Sequence, residues 1–368
     1  MILSKLRAAL IGAAIVLVGC GGGTSEPPKA YVAGDSLNDV GVFGIRFTVQ
    51  SSNPSNPYLV WPEHISNGYR LNTLCAAYNG TLAPVAGCTG YAVGGAQINP
   101  VTLTLTSGLV TGATVDSDAT PESIVKQLQD MGSGRNFAHY DLIMVDGGGN
   151  DVGALSQALL EGLTLGNPFA AQALAAYRTM LKDLLPAATV DAVLNTDSTG
   201  LANLGAAYMQ QTAIMLANAV KTNVLAKGAG RVVVVNLPDL SKAPALNTAG
   251  PQAAAIVNGW AQAFNATLSA QLSADSARVV IFDFYSTLNS FVANPSSATI
   301  GATALTNVTD KACGTTNIAV CTDSLLNGSG PADWSTHLFA DSLHATPFGN
   351  QLMAQSIRSA INAKGWTF

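Results

Sequence analysis

The sequence predicts an α/β protein whose parallel central sheet carries helices on both faces, and three observations predict it. Two apolar runs, Leu142-Ile143-Met144-Val145 and Val232-Val233-Val234-Val235, lack the alternation of a half-exposed strand, as expected of strands covered on both sides. Long Ala- and Leu-rich segments with helical spacing separate such runs, and strands alternating with long helices imply a parallel sheet. The composition agrees: of 368 residues 48% are hydrophobic, 11% charged and 7% aromatic, which suits a large core with small side chains at its contacts.

The first element is not part of the fold. Residues 1–19 read as a secretory signal, with Lys5 and Arg7 as its positive region and Ala8 to Val18 as an apolar stretch too short to span a bilayer. Leu17-Val18-Gly19-Cys20 resembles the lipobox of bacterial lipoproteins, which implies cleavage before Cys20, lipidation of that cysteine and anchorage of the chain to a membrane of the cell envelope. Gly21, where an aspartate is associated with inner-membrane retention, favours the outer membrane by the same resemblance. An ordinary secreted protein with one additional cysteine is the alternative. Residues 20–28 have the composition of a flexible tether. Residues 29–368 then form the working domain, with no linker or internal repeat inside them.

Within that domain Lys29 to Ala33 reads as a short buried strand, and residues 42–70, rich in Asn, Pro and Ser, as loop. Tyr91 to Ala96 is a second short apolar run ending in paired glycines. The Thr-rich segment from Val101 to Ala119 reads as irregular or hairpin-like, and Pro121 to Met131 as an amphipathic helix. After the strand ending at Val145, helical spacing covers Ala154 to Ala187, with an interruption near Gly166-Asn167-Pro168, and then Leu201 to Lys227. The strand Arg231 to Asn236 stops before Pro238. Gln252 to Ala274 reads as helix, Arg278 to Tyr285 as strand, and Thr346 to Ala363 as a closing helix. The polar, cysteine-containing stretch Asn294 to Asp333 reads as a disulfide-pinned surface excursion.

Setting Cys20 aside leaves Cys75, Cys88, Cys313 and Cys321, an even number that fits an oxidising compartment. The sequence-local pairings Cys75–Cys88 and Cys313–Cys321 are the simplest of three connectivities. Removal of residues 1–19 takes Lys5 and Arg7 from the seventeen basic residues, leaving fifteen against twenty-two acidic ones and a formal charge of −7. No basic run or phosphate-binding glycine loop points to nucleic acid or nucleotide. No CxxC and no paired ligand spacing among the four histidines points to a metal, and no cofactor is expected.

Chemistry concentrates in four short segments at the ends of predicted strands, where open α/β sheets collect ligands. Gly34-Asp35-Ser36-Leu37 offers a serine hydroxyl, a weak nucleophile unless an imidazole takes its proton and a carboxylate orients that imidazole. Asp341-Ser342-Leu343-His344 supplies both groups. Gly94-Gly95 lets main chain approach a ligand, and Asn150, after three glycines, offers an amide; with the Ser36 N–H these make a candidate oxyanion hole. Asp341 could instead cap the last helix, and Asn150-Asp151 could be turn residues. His64 and His337 are read as surface or structural residues with pocket lining as the alternative, and His139 as unrelated.

The four segments are similar, in order, to blocks I, II, III and V of the SGNH, or GDSL, hydrolase family, and Asn236-Leu237-Pro238 resembles a further segment of its larger members. The resemblance implies a three-layer, flavodoxin-like α/β/α fold with inserted helices and loops. It implies Ser36 as nucleophile, His344 as base and Asp341 as its orienting acid, and Ser36 N–H, a glycine of block II and Asn150 as oxyanion donors. Gly90 stands where block II usually opens with Asn; counting from there favours Gly95 over Gly94 as the donor. The expected activity is hydrolysis of carboxylic esters by an esterase or lipase. Acyl transfer from glycerophospholipids, phospholipase action and polysaccharide O-deacetylation would use the same groups, and a non-catalytic binding lipoprotein would have lost one of them.

Overall fold

The structure, a computed structural model, describes residues 26–193, 198–246, 249–315 and 317–368. The expected signal, the expected lipidation site Cys20 and most of the expected tether lie outside these residues.

β1 (Ala30–Ala33) is followed by a long loop that contains α1 (Trp61–Gly68). A hairpin, β2 (Val101–Thr106) with β3 (Leu109–Val115), precedes α2 (Ile124–Gly132) and β4 (Leu142–Val145). Four helices follow: α3 (Gly149–Leu163), α4 (Ala170–Leu184), α5 (Ala187–Val193) and α6 (Ser198–Asn223). Then come β5 (Arg231–Val235), α7 (Gly250–Leu272), β6 (Val279–Phe282) and α8 (Phe284–Ala293). The excursion holds β7 (Thr299–Ile300), β8 (Thr303–Ala304), β9 (Asn307–Lys311) and α9 (Asp323–Ser329), and β10 (His337–Phe339) and α10 (Pro347–Ala363) end the chain.

The central sheet is parallel in the order β1-β4-β5-β6, with Ala33 level with Val145 and Val145 level with Val234. Residues 89–93 extend it past β1: Val32 N–H donates to Thr89 O at 3.0 Å, Tyr91 N–H to Val32 O at 2.7 Å and Val93 N–H to Gly34 O at 3.1 Å. With that segment as outer strand the order is the flavodoxin-like one, and the chain leaves β1 on one side while β4 flanks the other. A crevice therefore opens above the carboxyl ends of β1 and β4.

Successive side chains of a strand point to opposite faces. On one face Tyr31, Ala33, Ile143, Val145, Val232 and Val234 pack on α2, α3, α4, α6 and α7 through residues such as Leu128, Leu155, Tyr177 and Phe264. On the other Val32, Met144, Val233 and Val235 pack on Trp61 and Ile65 of α1 and Ile357 and Ile361 of α10. Three layers result, and each large side chain fully buried between them contributes about 1.5–3 kcal/mol.

Two expectations are corrected. The segment 42–70 is not all loop, because eight of its residues form α1. So short a helix is marginal alone and is held by tertiary contacts: Glu63 accepts Val60 N–H at 3.1 Å and pairs with Arg46 at 2.6 Å, and Trp61 N–H donates to Asn350 Oδ1 of α10 at 3.0 Å. The strand expected over Arg278 to Tyr285 ends at Phe282. Asp283 caps a helix instead, accepting Ser286 N–H at 3.1 Å, and α8 begins.

Both disulfides join sequence neighbours, Cys75 to Cys88 and Cys313 to Cys321. The second stabilises the excursion, whose Ala312, Cys313 and Ile318, with Trp334 just past its end, pack on Val49, Phe47 and Tyr58 of the loop after β1. Gln50 N–H donates to Cys321 O at 2.8 Å and Asp323 N–H to Gln50 O at 3.0 Å, so the two segments are stitched by main chain.

Candidate active site

β1 delivers Ser36 into the crevice through a tightly pinned turn. Gly34 N–H donates to Gln127 Oε1 of α2 at 2.8 Å, and Asp35 N–H to Asp146 Oδ1 at 3.1 Å, just past β4. A Cβ on Gly34 would lie 1.7 Å from that same carboxylate oxygen, so only glycine lets the turn pass. Asn38 closes it, its amide donating to Ala33 O at 3.0 Å. Ser36 is left 8% exposed at the floor of the crevice.

His344 reaches Ser36 from the loop after β10. Its Nε2 lies 2.8 Å from Ser36 Oγ, and its Nδ1 lies 2.7 Å from Asp341 Oδ2. An ionised carboxylate only accepts, so Nδ1 carries the proton and Nε2 is left to accept from the serine. Asp341 is held in turn, its Oδ1 accepting the N–H groups of Leu343 at 2.8 Å and His344 at 2.7 Å. Asp341 does not cap the last helix; Thr346 does, accepting Gly349 N–H at 3.0 Å. His344 lies two residues before that cap. The loop is braced by the excursion, with Cys313 N–H donating to Ala340 O at 2.7 Å and Ala340 N–H to His344 O at 2.7 Å. The Phe47 ring packs against the imidazole, centroids 5.2 Å apart.

The paired glycines have different tasks. Gly94 N–H donates to Asp39 Oδ2 at 2.8 Å, and a Cβ on Gly94 would strike the Phe47 ring at 2.2 Å. Gly94 thus lets Phe47 reach His344, and its N–H is engaged. Gly95, at φ +84°, lines the cavity beside Ser36, and its N–H has no partner among the described residues. Asn150, in the first turn of α3, donates one amide hydrogen to Ala96 O at 3.0 Å and keeps the other. Neighbouring Asp151 is a tie rather than a turn residue, its two oxygens accepting Ile98 N–H at 3.0 Å and Asn99 N–H at 2.9 Å.

Four carboxyls around this turn sit in different electrostatic settings. Burial opposes the charge on Asp341, but the hydrogen bond and charge of His344 and the two backbone N–H groups outweigh it and hold the carboxyl below its ordinary value. Burial pushes Asp35 up, against the Leu37 N–H and the charge that His344 carries once protonated. Asp146 is pushed well above the usual range, by burial and then by the nearby Asp35, and its Oδ2 is buried without a partner. Asp151 is raised by burial to about 6.

Ser36, Gly95, Asn150 and His344 share one cavity of about 470 Å³ that continues away from them toward α7 and α8. His64 and His337 do not line it. His337 faces Asp333 at 3.0 Å, and His64 Nε2 is buried without a partner. Asp39, Asp146 and Phe47 are the members of the site that motif reading passed over. Asp39 stands two residues beyond the Gly34 to Leu37 segment that carries Ser36, and Asp146 is a carboxylate wedged between an apolar strand and three glycines, which was the only signal available.

No curated protein matches the chain. A solved structure that is similar is that of the extracellular lipase from Streptomyces rimosus, 16% identical, with a TM-score of 0.39 over 90% of this chain and 99% of that one. The family model described as GDSL-like lipase/acylhydrolase matches residues 31–357, a span that begins in β1 before Ser36 and ends in α10 beyond His344. On a match that takes in nearly the whole described chain, with every segment of the crevice inside it, the chain belongs to the GDSL-like lipase/acylhydrolase family.

Proposed function

We propose that this protein is a serine hydrolase of carboxylic esters that works through an acyl-enzyme on Ser36. The observation that carries the reading is the unbroken line from Asp341 Oδ2 to His344 Nδ1 at 2.7 Å and from His344 Nε2 to Ser36 Oγ at 2.8 Å. His344 takes the serine proton as Oγ attacks the ester carbonyl, and Asp341 stabilises the imidazolium that forms. The oxyanion is held by the N–H groups of Ser36 and Gly95 and the unengaged amide hydrogen of Asn150. His344 then protonates the leaving alcohol, and a water activated by the same base releases the acid.

Residues 29–368 would act as one catalytic domain. Export fits two disulfides, and we place the chain in the cell envelope, anchored through lipid on Cys20 and facing an outer-membrane surface. No helix among the described residues is long and apolar enough to cross a membrane.

Ser36→Ala removes the nucleophile while adding no bulk. It is expected to lower kcat for a nitrophenyl ester by on the order of 10⁴-fold or more with an unchanged circular dichroism spectrum. Turnover retained by that variant would end the assignment.

A further inference from the structure

We propose that the arm of the cavity beyond the catalytic groups is a preformed pocket for a medium-length or longer acyl chain, with α8 setting the length it accepts. This rests on Ser36 being the nucleophile. Past Ser36 and Asn150 the cavity runs between the segment after β5, α7 and α8, where Leu240, Val257, Phe284, Leu288 and Phe291 form its walls. Val257 and Leu288 are buried, while Leu343 at the catalytic end is 50% exposed, so the space deepens away from His344.

The polar side chains along this arm are already engaged. Asn236 donates to Asp283 Oδ1 at 3.1 Å and accepts Phe284 N–H at 2.7 Å and Tyr285 N–H at 3.2 Å. Ser156 donates to Gly153 O at 3.0 Å. Asn350 donates to Thr346 O at 3.1 Å and accepts Trp61 N–H at 3.0 Å. A sugar ring placed here would leave its hydroxyls without partners, whereas methylene groups would leave water for apolar walls.

The walls are fixed before substrate arrives. Leu237 exchanges both backbone bonds with the Asn265 side chain of α7 at 2.8 Å each, and Ala245 N–H donates to Ser342 O of the His344 loop at 3.0 Å. A rigid apolar slot whose mouth is the candidate nucleophile selects the acyl part of an ester and leaves the alcohol at the exposed end.

The test is kcat/KM for nitrophenyl acetate, butyrate, octanoate and dodecanoate. Burial of successive methylenes is expected to raise it roughly threefold to fourfold each, the ratio that about 0.8 kcal/mol per CH₂ gives, until the arm is filled. Leu288→Trp is expected to cut the octanoate-to-acetate ratio at least tenfold, and Phe291→Ala to move the optimum to a longer chain. Leu240→Trp, on the half-buried wall, repeats the blocking test where Leu288→Trp fails to fold. An optimum at acetate or at acetylated polysaccharide, or an unchanged ratio in a blocking variant of native near-UV circular dichroism, would overturn the pocket. If Ser36→Ala is inactive while those results hold, the pocket alone falls; if Ser36→Ala is active, the nucleophile falls with it.

Discussion

Asp341 and Asp146 both bear on the Ser36 turn, one through His344 and the other through the Asp35 N–H, and their surroundings drive them in opposite directions. Asp341 has an imidazole and two backbone donors, so its charged form is favoured despite burial. Asp146 is buried beside the Asp35 carboxyl, has an oxygen facing no partner, and is pushed toward its neutral form against the N–H groups of Asp35 and of its own backbone. The same side chain is therefore held toward its charged form in one place and pushed toward its neutral form in the other. Burial opposes the charge of both, and what separates them is the titratable neighbour each faces, the His344 imidazole beside Asp341 and the Asp35 carboxyl beside Asp146.

Three substitutions test that division, beginning with the largest expected effect. Asp341→Asn keeps the shape but presents an amide donor to Nδ1, which favours the wrong imidazole tautomer; kcat for a nitrophenyl ester is expected to fall on the order of 10²- to 10⁴-fold with little change in KM. A loss under threefold would show that the charge of Asp341 is not needed and would remove the contrast.

Asp39 is the intermediate case, a buried aspartate whose oxygens accept Gly41, Val42 and Gly94 N–H groups. Asp39→Ala frees the Gly94 N–H and slackens the approach of Gly95 to the oxyanion. Stopped-flow acylation is expected to slow by about tenfold to a hundredfold, somewhat less than loss of an oxyanion donor itself. An unchanged acylation rate would make Asp39 a purely structural tie.

Asp146→Asn is the mildest and acts through stability. The folded-state value of Asp146 is raised above the unfolded one of about 3.9, so its contribution is fully present below that pH and is lost as pH rises through the folded value. The asparagine variant does not titrate there. Thermal unfolding is expected to show the variant gaining on the parent as pH increases, by on the order of 2–4 °C for each ~1 kcal/mol. Asp151, raised to about 6, remains in both proteins and leaves a common decline as pH rises between about 4 and 6. A variant equally destabilised at pH 5 and pH 9 would show that Asp146 carries its charge in the folded protein.

Legibility in the sequence followed the range of the interactions. Buried strands such as Val232 to Val235 and helices such as α7 announce themselves by local hydrophobic pattern, and the parallel three-layer architecture follows from their alternation. α1 and α8 were hidden because one depends on contacts with Arg46 and Asn350 and the other on a single capping aspartate after a strand.

That Ser36, Asn150, Asp341 and His344 meet at one crevice could be read from the sequence, because each proposed role demands one side-chain type within a few residues of a strand end. Between Gly94 and Gly95 counting along the motif favours Gly95, and the fold adds a physical reason that sequence could not supply, since the carboxylate of Asp39, fifty-five residues away, engages the Gly94 N–H. The sequence by itself determined, through local motifs, which candidate groups stand at the mouth of the cavity. Tertiary structure alone decided which way burial shifts each carboxyl there and what lies beyond the mouth, because the turns that bury them, such as those of Asp35 and Asp146 at 111 residues' separation, meet only in the fold.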